Sequence, residues 1–175
     1  MTSENGDLWV FGYGSLMWRP GFDFIERVPG RLIGLHRALC IYSHVHRGTP
    51  ERPGLVLGLG HGGSVRGAAF RVAEADWPEV YAYLLEREQP TETYIESRPP
   101  VRLDNGETVR ALAFFSDRGH PQWAGDLSLE RQARLIAGAQ GLSGRNVDYL
   151  RDLVSHLRDL GCRDRAMEAL LEQVE

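Results

Sequence analysis

Three observations predict an α+β fold with a mixed or antiparallel sheet for this 175-residue chain. Short apolar runs rich in β-formers, bounded by Gly, Pro and Asn-Gly, fill most of the chain as far as Ser116. One run of helical period, opening at Asp76, interrupts them. After Ser128 the apolar spacing is helical throughout. Strands, one helix, a hairpin and then helices is the order of an α+β domain rather than of repeated βαβ units. With no internal repeat or linker, a single domain over residues 1–175 is expected, with residues 1–7 frayed.

The first strand, from Leu8 to Phe11, runs into Gly12-Tyr13-Gly14-Ser15. Glycines are used where φ is positive or where another group approaches the backbone. Successive N–H groups in such a turn form a concave site for an anion or a polarised carbonyl. A plain strand-and-turn is the simpler reading of a lone G-x-G. Met17 stands where the dinucleotide fingerprint needs its third glycine, and the phosphate-loop lysine is missing.

Arg19-Pro20-Gly21 is a turn. Pro29, Gly30 and Gly34 interrupt the apolar segment Val28 to Tyr42, which favours one or two short, bent strands. His44 and His46 would share one face of a strand end; lacking a third ligand nearby, they are expected to be solvated or hydrogen-bonded rather than metal-bound. Arg47, in a Gly/Pro loop, is a surface charge or an anion contact, and the sequence favours the surface. Leu55–Leu59 and Val65–Val72 look like two strands joined by a hairpin turn at His61-Gly62-Gly63-Ser64.

Asp76 caps the clearest helix, and Glu79 completes an Asp-variant of the capping box. Trp77, Val80, Tyr81 and Leu84 define its buried face, and Pro90 ends it near Gln89. Thr93–Leu103 and Thr108–Ser116 form a hairpin around Asp104-Asn105-Gly106, with Pro99 and Pro100 at an edge or bulge. Asp117 to Asp126 is a loop. Ser128 caps a helix ending near Gly138, a longer helix follows Ser143-Gly144-Arg145-Asn146 and stops at Gly161, and a last helix carries Met167, Leu170 and Leu171.

Hydrophobic residues make up 42% and charged residues 25% of the chain, the chemistry of a globular protein. A formal net charge of −4 gives nucleic acid or an anionic membrane no electrostatic attraction. No apolar run would span a bilayer, and the polar first residues lack a signal peptide's pattern, so a cytoplasmic protein is expected. Cys40 and Cys162 are expected to be reduced thiols, and neither belongs to a C-x-x-C pair.

Extending the buried helical face by one turn from Leu84 reaches Glu88, a carboxylate on the apolar stripe at the helix C-terminus. Desolvation and the negative end of the helix dipole both oppose its ionisation. Such an acid can be tuned towards the ~6–7 that suits proton transfer at neutral pH. A salt bridge from Glu88 to Arg87, Arg98 or another cation at the helix end is the plainer alternative, and periodicity does not choose between them. Glu86 lies on another side and faces solvent.

Five segments, in order along nearly the whole chain, resemble the ChaC-type γ-glutamylcyclotransferases within the wider γ-glutamylcyclotransferase-like family. They are Val10-Phe11-Gly12-Tyr13-Gly14-Ser15-Leu16-Met17-Trp18; His46-Arg47-Gly48-Thr49-Pro50 with Pro53-Gly54; Gly67-Ala68-Ala69-Phe70-Arg71; Tyr83-Leu84-Leu85-Glu86-Arg87-Glu88; and Ser143-Gly144-Arg145-Asn146-Val147-Asp148-Tyr149-Leu150. The resemblance implies a small β-barrel flanked by helices, with no metal and no organic cofactor. It implies a small-molecule substrate, glutathione, cleaved to 5-oxoproline and cysteinylglycine. It places the substrate contacts on Val10, Phe11, Gly12, Tyr13, Gly14 and Ser15, and the catalytic carboxylate on Glu88. Arg47 is a further candidate, for the substrate's glycine carboxylate, and Tyr94 another for substrate contact.

One segment departs from the family pattern. ChaC members place a glycine pair soon after the glutamate and then a tyrosine, whereas here Gln89-Pro90-Thr91-Glu92-Thr93 separates Glu88 from Tyr94. That change bears on strictness for glutathione. A γ-glutamyl-amine or general γ-glutamyl dipeptide cyclotransferase is the alternative enzyme, and a non-catalytic γ-glutamyl-binding module the alternative of another class.

Overall fold

The computed structural model describes residues 8–88 and 93–175. Fraying at 1–7 and the altered segment Gln89–Glu92 lie outside the described residues. The strands are β1 (Leu8–Gly12), β2 (Glu26–Ser43), β3 (Gly54–Val72), β4 (Tyr94–Ser97), β5 (Pro100–Leu103), β6 (Thr108–Ser116), β7 (Gln140–Gly141) and β8 (Gly144–Arg145). The helices are α1 (Trp77–Glu88), α2 (Leu129–Gly138), α3 (Asn146–Asp159) and α4 (Arg165–Val174). The chain groups into two compact units, one of residues 1–36 and 61–117 and one of residues 37–60 and 118–175.

The first unit holds a closed barrel. Its strands follow the order β1-β3-β2-β5-β6, and β6 returns to β1. β1 runs antiparallel to β3, with Val10 opposite Phe70 and Gly12 opposite Ala68. Closure on β6 is parallel, through Trp9 opposite Ala111 and Val10 opposite Leu112. This is the mixed sheet that the order of elements predicts and the small barrel that the family resemblance implies. Phe11, Phe70 and Leu112 are fully buried within it, as is Leu84 of α1.

β4 and β5 lie along β6 in one register, from Tyr94 opposite Ser116 to Arg102 opposite Thr108. Pro99 breaks that line: it has no N–H to donate, yet its carbonyl still accepts from Ala111 N–H at 3.2 Å. The expected hairpin is therefore present. Gly106, at φ +95°, makes its turn, and Gly106 N–H donates to Leu103 O at 3.0 Å.

Two expectations are corrected in β2 and β3. β2 is one strand of 18 residues rather than one or two short ones. Gly34 stays inside it by adopting φ +100°, Gly30 pairs with Leu103, and Pro29 turns its carbonyl to Asp104 N–H. β3 is likewise continuous from Gly54 to Val72, with no hairpin at Gly62-Gly63. Both glycines do take positive φ, +95° and +70°, but inside the continuous strand. There the Nδ1–H of His36 donates to the Gly62 carbonyl at 3.0 Å. Double left-handed glycines thus bend a long strand instead of reversing it.

The second unit takes the remaining halves of β2 and β3 together with α2, α3 and α4. Leu39, Leu55, Ile136, Leu150, Leu157 and Leu170 are buried in it. Ser128 caps α2 by accepting from Arg131 N–H, Asp164 caps α4 by accepting from Ala166 and Met167, and Gly161 ends the α3 segment at φ +67°. The loop after Asp117 is less irregular than expected, since Trp123 bridges antiparallel to Ile41. Asn146, with no exposed surface, accepts from Leu55 N–H at 2.8 Å and donates to Leu55 O at 2.9 Å. Arg37, only 3% exposed, lies 3.5 Å from Asp164 and donates to Cys162 Sγ. Cys40 and Cys162 are buried, and neither is in a disulfide. No described helix is long and apolar enough to cross a membrane.

Two substitutions test this frame. Asn146→Ala strands two buried backbone groups and should lower unfolding stability by about 2–4 kcal/mol, read from urea denaturation. At Gly67 a Cβ would lie 2.2 Å from the Gly12 carbonyl oxygen and 2.7 Å from the Phe11 ring, both in the β1–β3 pairing. Gly67→Ala should therefore cost ~1–3 kcal/mol, measured the same way.

Candidate active site

The glycine loop leaves the barrel at the end of β1. Gly12 and Gly14 are not among the glycines with positive φ. What Gly12 supplies is room, because a Cβ there would lie 2.7 Å from the Leu16 Cβ. The loop folds into a 3-10 turn over Ser15–Met17, closed by Met17 N–H donating to Gly14 O at 2.9 Å. The first N–H groups of such a turn have no acceptor inside it. Val10 and Phe11 are 0% and 1% exposed, so their side chains are barrel core and what they can offer a ligand is main chain. Tyr13 reaches across to β6, its hydroxyl donating to Phe114 O at 2.6 Å.

α1 starts at Trp77, as expected from Asp76. The chain enters it through a 3-10 turn over Glu74–Asp76, with Asp76 N–H donating to Ala73 O. Val80 and Leu84 are its buried residues. Trp77 and Tyr81, expected on the buried face, are half-buried, because the aromatic pair stacks at the rim at 6.2 Å. There the Tyr81 hydroxyl donates to Glu96 of β4 at 2.6 Å, which holds the phenol proton on and raises its pKa. Glu86 is exposed as expected.

Glu88 sits at the C-terminal end of α1 with its side chain 18% exposed. Burial pushes its carboxyl above the ordinary glutamate value, and the Arg87 guanidinium opposes that shift as the smaller influence. The alternative seen in the sequence, an ion pair with Arg87, is also present, with Arg87 Nε 3.7 Å from Glu88 Oε1. That separation is too long for a hydrogen bond, so the pair weakens the effect of burial without cancelling it.

Arg87 does more than the sequence suggests, where it figures only as a partner for Glu88. Its Nη2 donates to Ser15 Oγ at 2.9 Å. Its Nη1 donates to the Arg19 carbonyl, to the Pro20 carbonyl at 3.1 Å and to the Tyr83 hydroxyl at 3.0 Å. The helix end bearing Glu88 and the glycine loop are thereby fastened together. The sequence carries one signal of this, a carboxylate next to an arginine at a helix terminus, which marks a pair but not the backbone carbonyls that the arginine reaches. Tyr94, half-buried, opens β4 opposite Ser116.

Arg47 belongs to the second unit, and its neighbours there are structural. Its Nη1 donates to Arg145 O at 3.1 Å, and its guanidinium lies 5.6 Å above the Tyr149 ring. Beside it, His46 Nδ1 and Ser143 Oγ share a hydrogen bond of 2.8 Å, and His44 stacks on Tyr42. The two sequence segments around Arg47 and Arg145 are thus partners of each other. Gly48 and Gly54 let the Arg47 loop close on itself: a Cβ on Gly48 would lie 2.1 Å from Gly54 N, and one on Gly54 2.4 Å from Arg47 O.

A cavity of about 340 Å³ is lined by Gly21, Phe22, Asp23, Asp76, Glu79, Val80 and Tyr83. Neither Glu88 nor Gly12–Ser15 lines it, and its three carboxylates repel an anionic ligand. No group of three or more His, Cys, Asp or Glu suited to a metal occurs among the described residues.

Comparison with known proteins places the chain in a family. A family model described as ChaC-like protein matches residues 8–175. The glutathione-specific gamma-glutamylcyclotransferase of Escherichia coli (strain K12) is 39% identical over 172 residues, covering 98% of this chain and 74% of that protein. The protein of the same name from Schizosaccharomyces pombe is 32% identical, covering 90% of this chain and 86% of that one. Among solved structures, a glutathione-specific gamma-glutamyl cyclotransferase from yeast superposes with a TM-score of 0.81 at 24% identity, over 96% of this chain and 95% of that one. At that identity the likeness speaks for the fold. With a family match over all but the first seven residues, this chain belongs to the ChaC-like family.

Proposed function

We propose that this chain is a glutathione-specific γ-glutamylcyclotransferase in which Glu88 is the general acid and base. One observation carries the reading: a mostly buried carboxyl with a raised pKa lies next to the arginine that grips the glycine loop. The names of the relatives supply the substrate.

The reaction is an internal aminolysis. The α-nitrogen of the γ-glutamyl unit bonds to its own γ-carbonyl carbon and closes a five-membered ring. The amide bond from that carbon to the cysteinyl nitrogen then breaks. Both reacting groups belong to one molecule, so the protein's task is to select the curled conformer and move protons. Glu88 takes a proton from the α-ammonium and delivers one to the departing cysteinyl nitrogen, giving 5-oxoproline and cysteinylglycine. A carboxyl held above its usual range is a better proton acceptor when ionised and is more readily returned to its protonated state. The Gly12–Ser15 amides hold negative charge of the γ-glutamyl unit. Ser15 needs no nucleophilic role, and its hydroxyl oxygen is an acceptor for Arg87.

The departure at Gln89–Thr93 favours one second reading, a broader γ-glutamyl dipeptide scope. Parallel assays on glutathione, γ-glutamyl-alanine and γ-glutamyl-lysine decide it: a preference for glutathione of less than about tenfold in kcat/KM, some 1.4 kcal/mol, would favour the broader enzyme.

Mass spectrometry should detect 5-oxoproline after incubation with glutathione, and Glu88→Gln should abolish it while leaving the far-UV circular dichroism unchanged. Turnover by that variant near the wild-type rate would remove Glu88 from the chemistry. The acid limb of kcat/KM should lie at higher pH than an ordinary glutamate gives, since Glu88 must be ionised to accept the ammonium proton. Stability should respond in the opposite sense. A raised native pKa means that the folded state binds more protons than the unfolded one, so Glu88's contribution is lost as pH rises from its unfolded to its folded pKa. Glu88→Gln should therefore match wild type in Tm at low pH and exceed it above that window.

A further inference from the structure

We infer that Arg87 is a positioning residue of this site, a single guanidinium that holds the glycine loop in register with the carboxyl of Glu88. The inference rests on the functional reading above and deepens it by giving Arg87 a role of its own.

Adjacent residues on a helix point about 100° apart, so Arg87 and Glu88 do not project together. Arg87 turns towards the loop, and its three nitrogens divide the work. Nη2 holds the Ser15 hydroxyl, Nη1 holds the carbonyls of Arg19 and Pro20 with the Tyr83 hydroxyl, and Nε remains 3.7 Å from Glu88 Oε1. Its side chain is only 18% exposed, with the bonds to Pro20 and Tyr83 part-buried and those to Ser15 and Arg19 at the surface. The contacts bracket the turn, from Ser15 at its start to Pro20 at its exit. Tyr83 secures the same exit from the helix side, because Gly21, at φ +75°, has no room for a Cβ against the Tyr83 hydroxyl. A lysine would bring charge to the same place but only one nitrogen, and could not occupy the loop and Glu88 at once. Among the described residues, the charge acting on Glu88 is that of Arg87, and the Tyr83 hydroxyl faces the same guanidinium.

The test compares Arg87→Lys and Arg87→Gln with wild type, by glutathione kinetics across pH and by amide hydrogen exchange of Ser15–Gly21. For Arg87→Lys, KM should rise by ~10-fold or more and exchange of Ser15–Gly21 should quicken, while the acid limb of kcat/KM stays in place because the charge is kept. For Arg87→Gln the same losses should appear, and the acid limb should move to higher pH. Wild-type KM with wild-type exchange in Arg87→Lys would overturn the inference. So would identical acid limbs in two folded variants that differ in charge. If Arg87→Gln does not fold, KM and exchange in Arg87→Lys alone decide the matter. If the wild-type protein releases no 5-oxoproline, the functional reading fails, and the exchange of Ser15–Gly21 still decides whether Arg87 holds the loop.

Discussion

Two residue pairs close the barrel, Trp9 with Ala111 and Val10 with Leu112, and the position of the glycine loop follows from them. Parallel pairing fixes the direction in which β1 runs beside β6, so the chain must emerge at Gly12 next to the stretch of β6 that pairs with β4. The Tyr13 hydroxyl bond to Phe114 continues the contact past the end of the strand. A ring of five strands leaves little room, and the sequence answers with Gly67, Ala68 and Ala69 on one neighbour of β1 and Ala111 and Ala113 on the other. The loop is then a product of closure: the strand cannot shift register without carrying the loop away from α1.

At the end of α1, two influences on Glu88 oppose each other, and the larger sets the direction of its pKa shift. Desolvation favours the neutral carboxyl, and Arg87 favours the charged one. Were the arginine in bidentate contact, the acid would be pinned in its ionised state. Because its terminal nitrogens are committed to the loop, only Nε approaches, and burial prevails. The bonds that shape the loop also leave the acid free to titrate.

Much of this was legible in the residues because local chemistry and tertiary context agreed. The Asn105-Gly106 turn, the Ser128 cap, the stop at Gly161 and the position of Glu88 on the stripe of Leu84 all depend on short-range rules. The failures in β2 and β3 come from the reading of glycine as a terminator. In β2 and β3, Gly34, Gly62 and Gly63 take left-handed conformations within strands held by neighbours far away in sequence, and those partners are invisible locally. Arg87 escaped for the same reason: carbonyls of Arg19 and Pro20, 68 and 67 residues away, give it its place. Tyr81 shows the converse, a helical face that periodicity marks as buried but that ends at a rim, where its hydroxyl finds Glu96. Arg47 lay in a segment whose partner, around Arg145, is 98 residues distant.

The path of the chain between its two compact units has a kinetic consequence. Residues 37–60 belong with 118–175, while 1–36 belong with 61–117, so neither unit is a contiguous stretch of polypeptide. On a ribosome, the barrel lacks its closing strand until Thr108–Ser116 has emerged, and the strand halves carrying Leu39 and Leu55 wait still longer for their helices. Such separation raises contact order and slows folding relative to a helical chain of equal size. Nascent chains halted midway would display unpaired edges, the kind of surface on which partly made chains aggregate.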